Sequence, residues 1–145
     1  MEQALFNELF NCLKILEKQI LEFPHIGSQN HHRLKSPELV NDKFDMLINR
    51  KGHLNIDNLT YLMRSKRHGL MVRLDMTGPP HVGLNGIDID TPHVHIFDEY
   101  HYNGTQVEPL NKISDEEIIN ELHDSLVAFL LYNNVDIKNT TLPLT

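Results

Sequence analysis

Two stretches of this chain alternate apolar and polar residues with a period of two. In Leu70-Met71-Val72-Arg73-Leu74-Asp75-Met76, the set Leu70, Val72, Leu74 and Met76 opposes Met71, Arg73 and Asp75. In His93 to Asp98, Val94 and Ile96 oppose His93, His95 and Phe97. That period belongs to strands with one buried face, and a slip of one residue would invert every side chain. With the apolar sets turned toward a common core, Arg73, Asp75, His93 and His95 share the opposite, open face.

The remaining segments build a sheet around these two. Leu5, Leu9, Leu13, Leu16 and Ile20 recur at spacings of three and four, which predicts a helix over Glu2 to Phe23, ended by Pro24 and Gly27. The polar stretch His25 to Pro37 reads as a loop, with a basic patch at His31, His32, Arg33 and Lys35. Strands are expected at Phe44 to Asn49 and at about Leu54 to Arg64, the second with a bulge. Thr77 to Pro92 reads as a long loop, and a short fifth strand is expected near Thr105 to Val107. A last helix begins at Ser114, where Ser114 and Glu117 form a capping box, and Asn133-Asn134 closes it. The expected fold is α+β: an antiparallel sheet of four or five strands, flanked by an N-terminal and a C-terminal helix packed on one face. Residues 1–135 are expected to form one domain and 136–145 a loose tail.

Composition limits the function classes. No apolar run is long enough to cross a bilayer, so no membrane partner is expected. The single cysteine, Cys12, excludes an intrachain disulfide and suits a cytoplasmic setting. Its place on the amphipathic stretch predicts a buried, inert thiol. A net charge of −7 argues against coating nucleic acid by bulk electrostatics, although a local basic site remains compatible with it. Six of the ten histidines lie between His53 and His101.

Three chemistries suit the open-face set. In metal-independent phosphodiester cleavage, His93 and His95 serve as general base and acid, since imidazole titrates near neutrality. Arg73 then stabilises the transition-state charge and Asp75 orients its neighbours. RNA supplies its own 2′-hydroxyl nucleophile, so no cofactor is needed. His81, Asn85, Arg64 and Tyr100 are the candidate substrate-binding residues. In a metal-dependent enzyme, the H-x-H spacing offers two imidazoles to one ion, and His93, His95, Asp75 and Glu99 form the candidate ligand set. In a purely structural reading, the four residues are polar groups on a wet face.

Leu70-Met71-Val72-Arg73-Leu74-Asp75, Pro80-His81, Asn85-Gly86 and Pro92-His93-Val94-His95-Ile96-Phe97 together resemble a group of small uncharacterised bacterial and prophage proteins. Their pattern is L-x-R-x-D…H…(D)G…P-H-x-H-[IL]-[YF], and the resemblance covers roughly residues 43 to 132. The group is similar in style to barnase/RelE-like toxin ribonucleases. The resemblance singles out Arg73, Asp75, His81, Gly86, His93 and His95, with Asn85 standing where the pattern has Asp. It implies a mobile-element context and an endoribonuclease-like toxin or counter-defence factor that acts on RNA or a host nucleoprotein. An antitoxin or a host defence protein is the expected partner, and homodimerisation through the apolar N-terminal helix is compatible with the sequence. The competing expectation is a non-catalytic, anti-CRISPR-type inhibitor that binds a host protein through an acidic surface.

Overall fold

The two alternating segments are strands, and they lie side by side. The computed structural model describes residues 1–51, 58–114 and 122–143. Its elements are α1 (Gln3–Asn11), β1 (Lys14–Leu16), β2 (Gln29–Lys35), β3 (Lys43–Asn49), β4 (Thr60–Ser65), β5 (Gly69–Asp75), β6 (His81–Val82), β7 (Asp88–Ile89), β8 (His93–Ile96), β9 (Val107–Pro109), a 3₁₀ turn (Leu110–Lys112), α2 (Leu122–Tyr132) and β10 (Val135–Asp136). An eight-stranded sheet runs in the order β10-β1-β2-β3-β4-β5-β8-β9, with β6 and β7 forming a separate hairpin. The fold is α+β, but the sheet has eight strands and is mixed, because β1 and β10 pair in parallel.

Antiparallel register divides the sheet into two faces. Leu34 opposes Phe44, Met46 opposes Met63, Ile48 opposes Tyr61, Tyr61 opposes Leu74, and Val72 and Leu74 oppose Ile96 and Val94. All of these are buried in the core. Residues directly opposite in a ladder point the same way, so this is the face that receives the helices. Phe129 of α2 stacks on Tyr61 at 5.6 Å, and Phe10 of α1 meets Tyr132 edge-on at 5.1 Å. Each large apolar side chain so buried contributes roughly 1.5–3 kcal/mol.

Several expectations need correction. The N-terminal helix stops at Asn11, and Lys14–Leu16 is extended. Lys14 is fully buried, with its ammonium donating to Phe10 O, Cys12 O and Asn133 O at 2.9, 3.1 and 2.8 Å. It thereby satisfies carbonyls at the C-terminal ends of both helices, which intrahelical bonds leave open. This tertiary contact and the pairing of β1 with β2 and β10 override the helical spacing of Leu13, Leu16 and Ile20.

The expected basic loop contains the seven-residue strand β2. In the β4–β5 ladder a register shift between Met63 and Arg64 passes over Met71, which is buried while Leu70 is exposed, the reverse of strict alternation. The expected loose tail begins within β10, and Thr141 bridges to Ile20, with Leu21 N donating to Thr141 O and Thr141 N to Gln19 O. The start of the strand expected from Leu54, and the Ser114/Glu117 capping box through Glu117, fall outside the described residues. Cys12 is buried, with its thiol 3.2 Å from Leu9 O. Among the described residues, no helix is long and apolar enough to cross a membrane.

Candidate active site on the open face

Arg73 opposes His95 and Asp75 opposes His93 in the β5–β8 ladder. The register therefore places all four side chains on the face away from the helices. Apolar alternation on the other side holds them there, because Val72, Leu74, Val94 and Ile96 are buried.

Asp75 is the hub. Its Oδ1 accepts from Arg73 Nε at 3.0 Å, and its Oδ2 accepts from Arg73 Nη2 at 3.1 Å. Oδ2 also lies 3.3 Å from His93 Nε2 and 3.0 Å from His95 Nε2. Burial pushes the Asp75 carboxyl up, but the hydrogen bonds from His95 and Arg73 and their charges outweigh it and hold it at about 2.

The far nitrogens of the two imidazoles are tied to backbone. His93 Nδ1 lies 3.1 Å from Ile89 O, and His95 Nδ1 lies 2.8 Å from Gly104 O. A carbonyl oxygen only accepts, so each Nδ1 carries the proton. Nε2 of a doubly protonated ring donates to Asp75 Oδ2, whereas in a neutral ring it presents a lone pair there, an arrangement that a proton or a metal cation held between the two atoms relieves. In the structure Arg73 Nη2 takes part of that role, 2.9 Å from His95 Nε2.

The fourth member arrives from the long loop expected at Thr77 to Pro92, which carries a short hairpin. The hairpin of β6 and β7 pairs His81 with Ile89 and folds His81 over the strand histidines. Its ring centre lies 5.1 Å from that of His93 and 4.9 Å from that of His95. Partial burial, then the two neighbouring imidazoles, lower the His81 pKa. One ligand atom each from Asp75, His81, His93 and His95 fall within 4.8 Å of one another.

The other expected site residues lie elsewhere. Glu99 sits in the turn after β8, its N–H on the Gln3 side chain at 3.1 Å, so the ligand set containing Glu99 is replaced by one containing His81. Tyr100 shares that turn and is exposed, lining an open groove with Gln3, Leu84, Glu99 and Tyr102. Asn85 caps its own turn, accepting from Ile87 N. Arg64 is on the open face but pairs with Asp45 at 3.4 Å.

Sequence reasoning missed the Gly104 carbonyl. Tyr102, Asn103 and Gly104 have φ of 50°, 56° and 79°, a left-handed run that costs energy at the first two. It aims Gly104 O at His95. A Cβ on Gly104 would sit 2.5 Å from the Phe97 ring, which stacks on His95 at 6.2 Å. Gly104→Ala is therefore expected to lower the melting temperature by several degrees and to shift the His95 ring resonances in an NMR spectrum. Unshifted His95 signals would show that this contact does not fix the ring.

A family model described as a family of unknown function matches residues 1–135. The matched family is described without an activity and supplies no tie to toxin ribonucleases. No curated protein and no solved structure matches the chain.

Proposed function

We propose, from the premise that this chain belongs to the family of unknown function DUF6978, that its open-face cluster is a transition-metal centre that hydrolyses a phosphate ester. The grouping of one ligand atom each from Asp75, His81, His93 and His95 within 4.8 Å of one another carries this reading. A tetrahedral zinc-type site has arms of roughly 2.0–2.1 Å and hence edges of roughly 3.3 Å. The separations from Asp75 Oδ2 to His93 Nε2 and His95 Nε2, 3.3 and 3.0 Å, match such edges. Backbone carbonyls on the distal Nδ1 atoms supply the orienting contacts that metal-bound imidazoles use.

Asp75, His93 and His95 are fixed on adjacent strands, whereas His81 is on the hairpin and is the exchangeable fourth ligand. An ion held by these residues would take the place of Arg73 Nη2 on His95 Nε2, and the Nε–Oδ1 bond would keep the guanidinium beside the centre. A bound divalent ion lowers the pKa of a coordinated water to about 7 and polarises a phosphoryl oxygen. Arg73 then stabilises the negative charge that builds on phosphorus-bound oxygens as the new P–O bond forms and the ester P–O bond breaks.

Protein purified without a histidine tag is expected to carry about one zinc-type ion per chain by elemental analysis. His93→Ala and His95→Ala should lose it with unchanged far-ultraviolet dichroism, and His81→Ala should bind more weakly. Wild-type protein that takes up no zinc, cobalt, nickel or manganese on incubation sinks this reading.

The contact of one carboxylate with two imidazoles and a guanidinium favours a second reading. There His93 and His95 carry out metal-free cleavage of RNA, in a protein of phage or mobile-element origin. One imidazole takes the 2′-hydroxyl proton, the 2′-oxygen attacks the neighbouring phosphorus, and the other imidazole protonates the leaving 5′-oxygen. Cleavage that persists in excess chelator selects this route; cleavage that stops selects the metal.

A further inference from the structure

We infer that the open face of β2, β3, β4 and β5 is a binding track for single-stranded RNA that leads into the Asp75 centre. The inference rests on the proposed reading only for what happens once the strand reaches that centre. Register alone sets out the track. Lys35 opposes Lys43; Arg33 opposes Asp45, which opposes Arg64; and His31, Leu47, Leu62, Arg73 and His95 form one row across five strands. With strands about 4.8 Å apart, that row spans roughly 19 Å.

The local charge contradicts the net −7 of the chain. The face carries Arg33, Lys35, Lys43, Arg64 and Arg73, of which all but Arg73 are exposed. Asp45 and Asp75 are each neutralised by an arginine, at 3.4 and 3.0 Å, and Glu17 lies beside Arg33 where β1 ends. Lys35 and Lys43 are directly opposite in the ladder, an arrangement that destabilises a sheet on its own account. A phosphate between them removes that repulsion.

The face also favours a single strand over other polyanions. His31, Leu47 and Leu62 interleave with the cations and offer flat or apolar surface to unpaired bases. A duplex would present little but phosphate to them. At the far end from Asp75, a cavity of about 330 Å³ is lined by Glu17, Lys18, His31, His32 and Arg33, where a terminal base can lodge.

The test is fluorescence anisotropy with a labelled 12-nucleotide single-stranded RNA, run in chelator between 50 and 200 mM salt. Chelator removes the metal question, so a failed metal reading leaves this result intact. Wild-type protein should bind, and log K should fall linearly with log salt at about −0.7 per phosphate contact. Arg33→Glu with Lys43→Glu should weaken binding at least tenfold and flatten the slope, with unchanged far-ultraviolet dichroism. Three outcomes overturn the inference: no binding by wild type at 50 mM salt, unchanged affinity after both charge reversals, or equal affinity for polyglutamate or for duplex RNA.

Discussion

Asp75→Asn is expected to fold and to lose both bound metal and hydrolysis, metal affinity falling by at least about 100-fold. Among the described residues the carboxylate is the one anion against Arg73, His93 and His95, and both its oxygens are engaged. An amide keeps the shape but accepts at one atom where the carboxylate accepts from Arg73 at two, and it removes the charge that a cation needs. Calorimetric titration with zinc measures the loss. Wild-type affinity in the variant would remove Asp75 from the centre.

The same substitution has a signature in acid. The folded-state pKa of Asp75, about 2, lies below its ordinary 3.8. Between these values the unfolded chain takes up a proton that the native carboxylate refuses, so protonation favours unfolding. The stability that Asp75 contributes is complete above pH ~4 and is lost as pH falls through about 2. Melting temperatures of wild type and Asp75→Asn should therefore converge over that window. Curves that stay parallel would contradict the assignment.

Lys14→Met is expected to have the largest effect on stability. It deletes a buried ammonium that serves Phe10 O, Cys12 O and Asn133 O. Methionine fills much of the space but donates nothing. Each buried acceptor left unpaired costs roughly 1–3 kcal/mol, so several kcal/mol are lost from a typical total of about 5–15. Chemical denaturation should show a large fall in midpoint or no cooperative transition. A midpoint within the error of wild type would refute the staple.

In wild type, burial lowers the Lys14 pKa to about 8. Between pH 8 and 10 the native state sheds a proton that the unfolded chain keeps, and this group makes stability rise with pH. Above pH ~10 the buried hydroxyls of Tyr61 and Tyr132 reverse the trend. Burial raises both pKa values, that of Tyr132 to about 12, and the unfolded phenols ionise first.

The centre was legible where the apolar pattern was regular. Alternation in β5 and β8 gave the face of Arg73, Asp75, His93 and His95, because four buried aliphatics fix the register. His81 was legible as a candidate substrate-binding residue at one end of this face but not as a fourth member of the cluster, since the hairpin that lifts it depends on the pairing of His81 with Ile89. Glu99 was chosen by spacing, but the chain leaves the sheet at Asp98, whose Oδ1 accepts from His101 N at 2.8 Å. Strand β2 escaped notice because Leu34 is its single aliphatic residue and its inward row includes the polar Asn30 and His32. Strand β1 was hidden because Leu16 also satisfies the helical spacing set by Leu5, Leu9 and Leu13. The sheet was underestimated for those two reasons and because β10 joins it from the far end of the chain.

Strands β5 and β8 each carry foundation and machinery on opposite sides of a single backbone. A genetic screen for inactive variants will therefore return Leu74 and Val94 alongside Asp75 and His95. Abundance in cell extracts separates the two classes: the aliphatic changes deplete the protein, whereas the polar ones leave it plentiful and inert. Adaptation is constrained in the same way, since one inserted or deleted residue in either strand would invert both patterns at once.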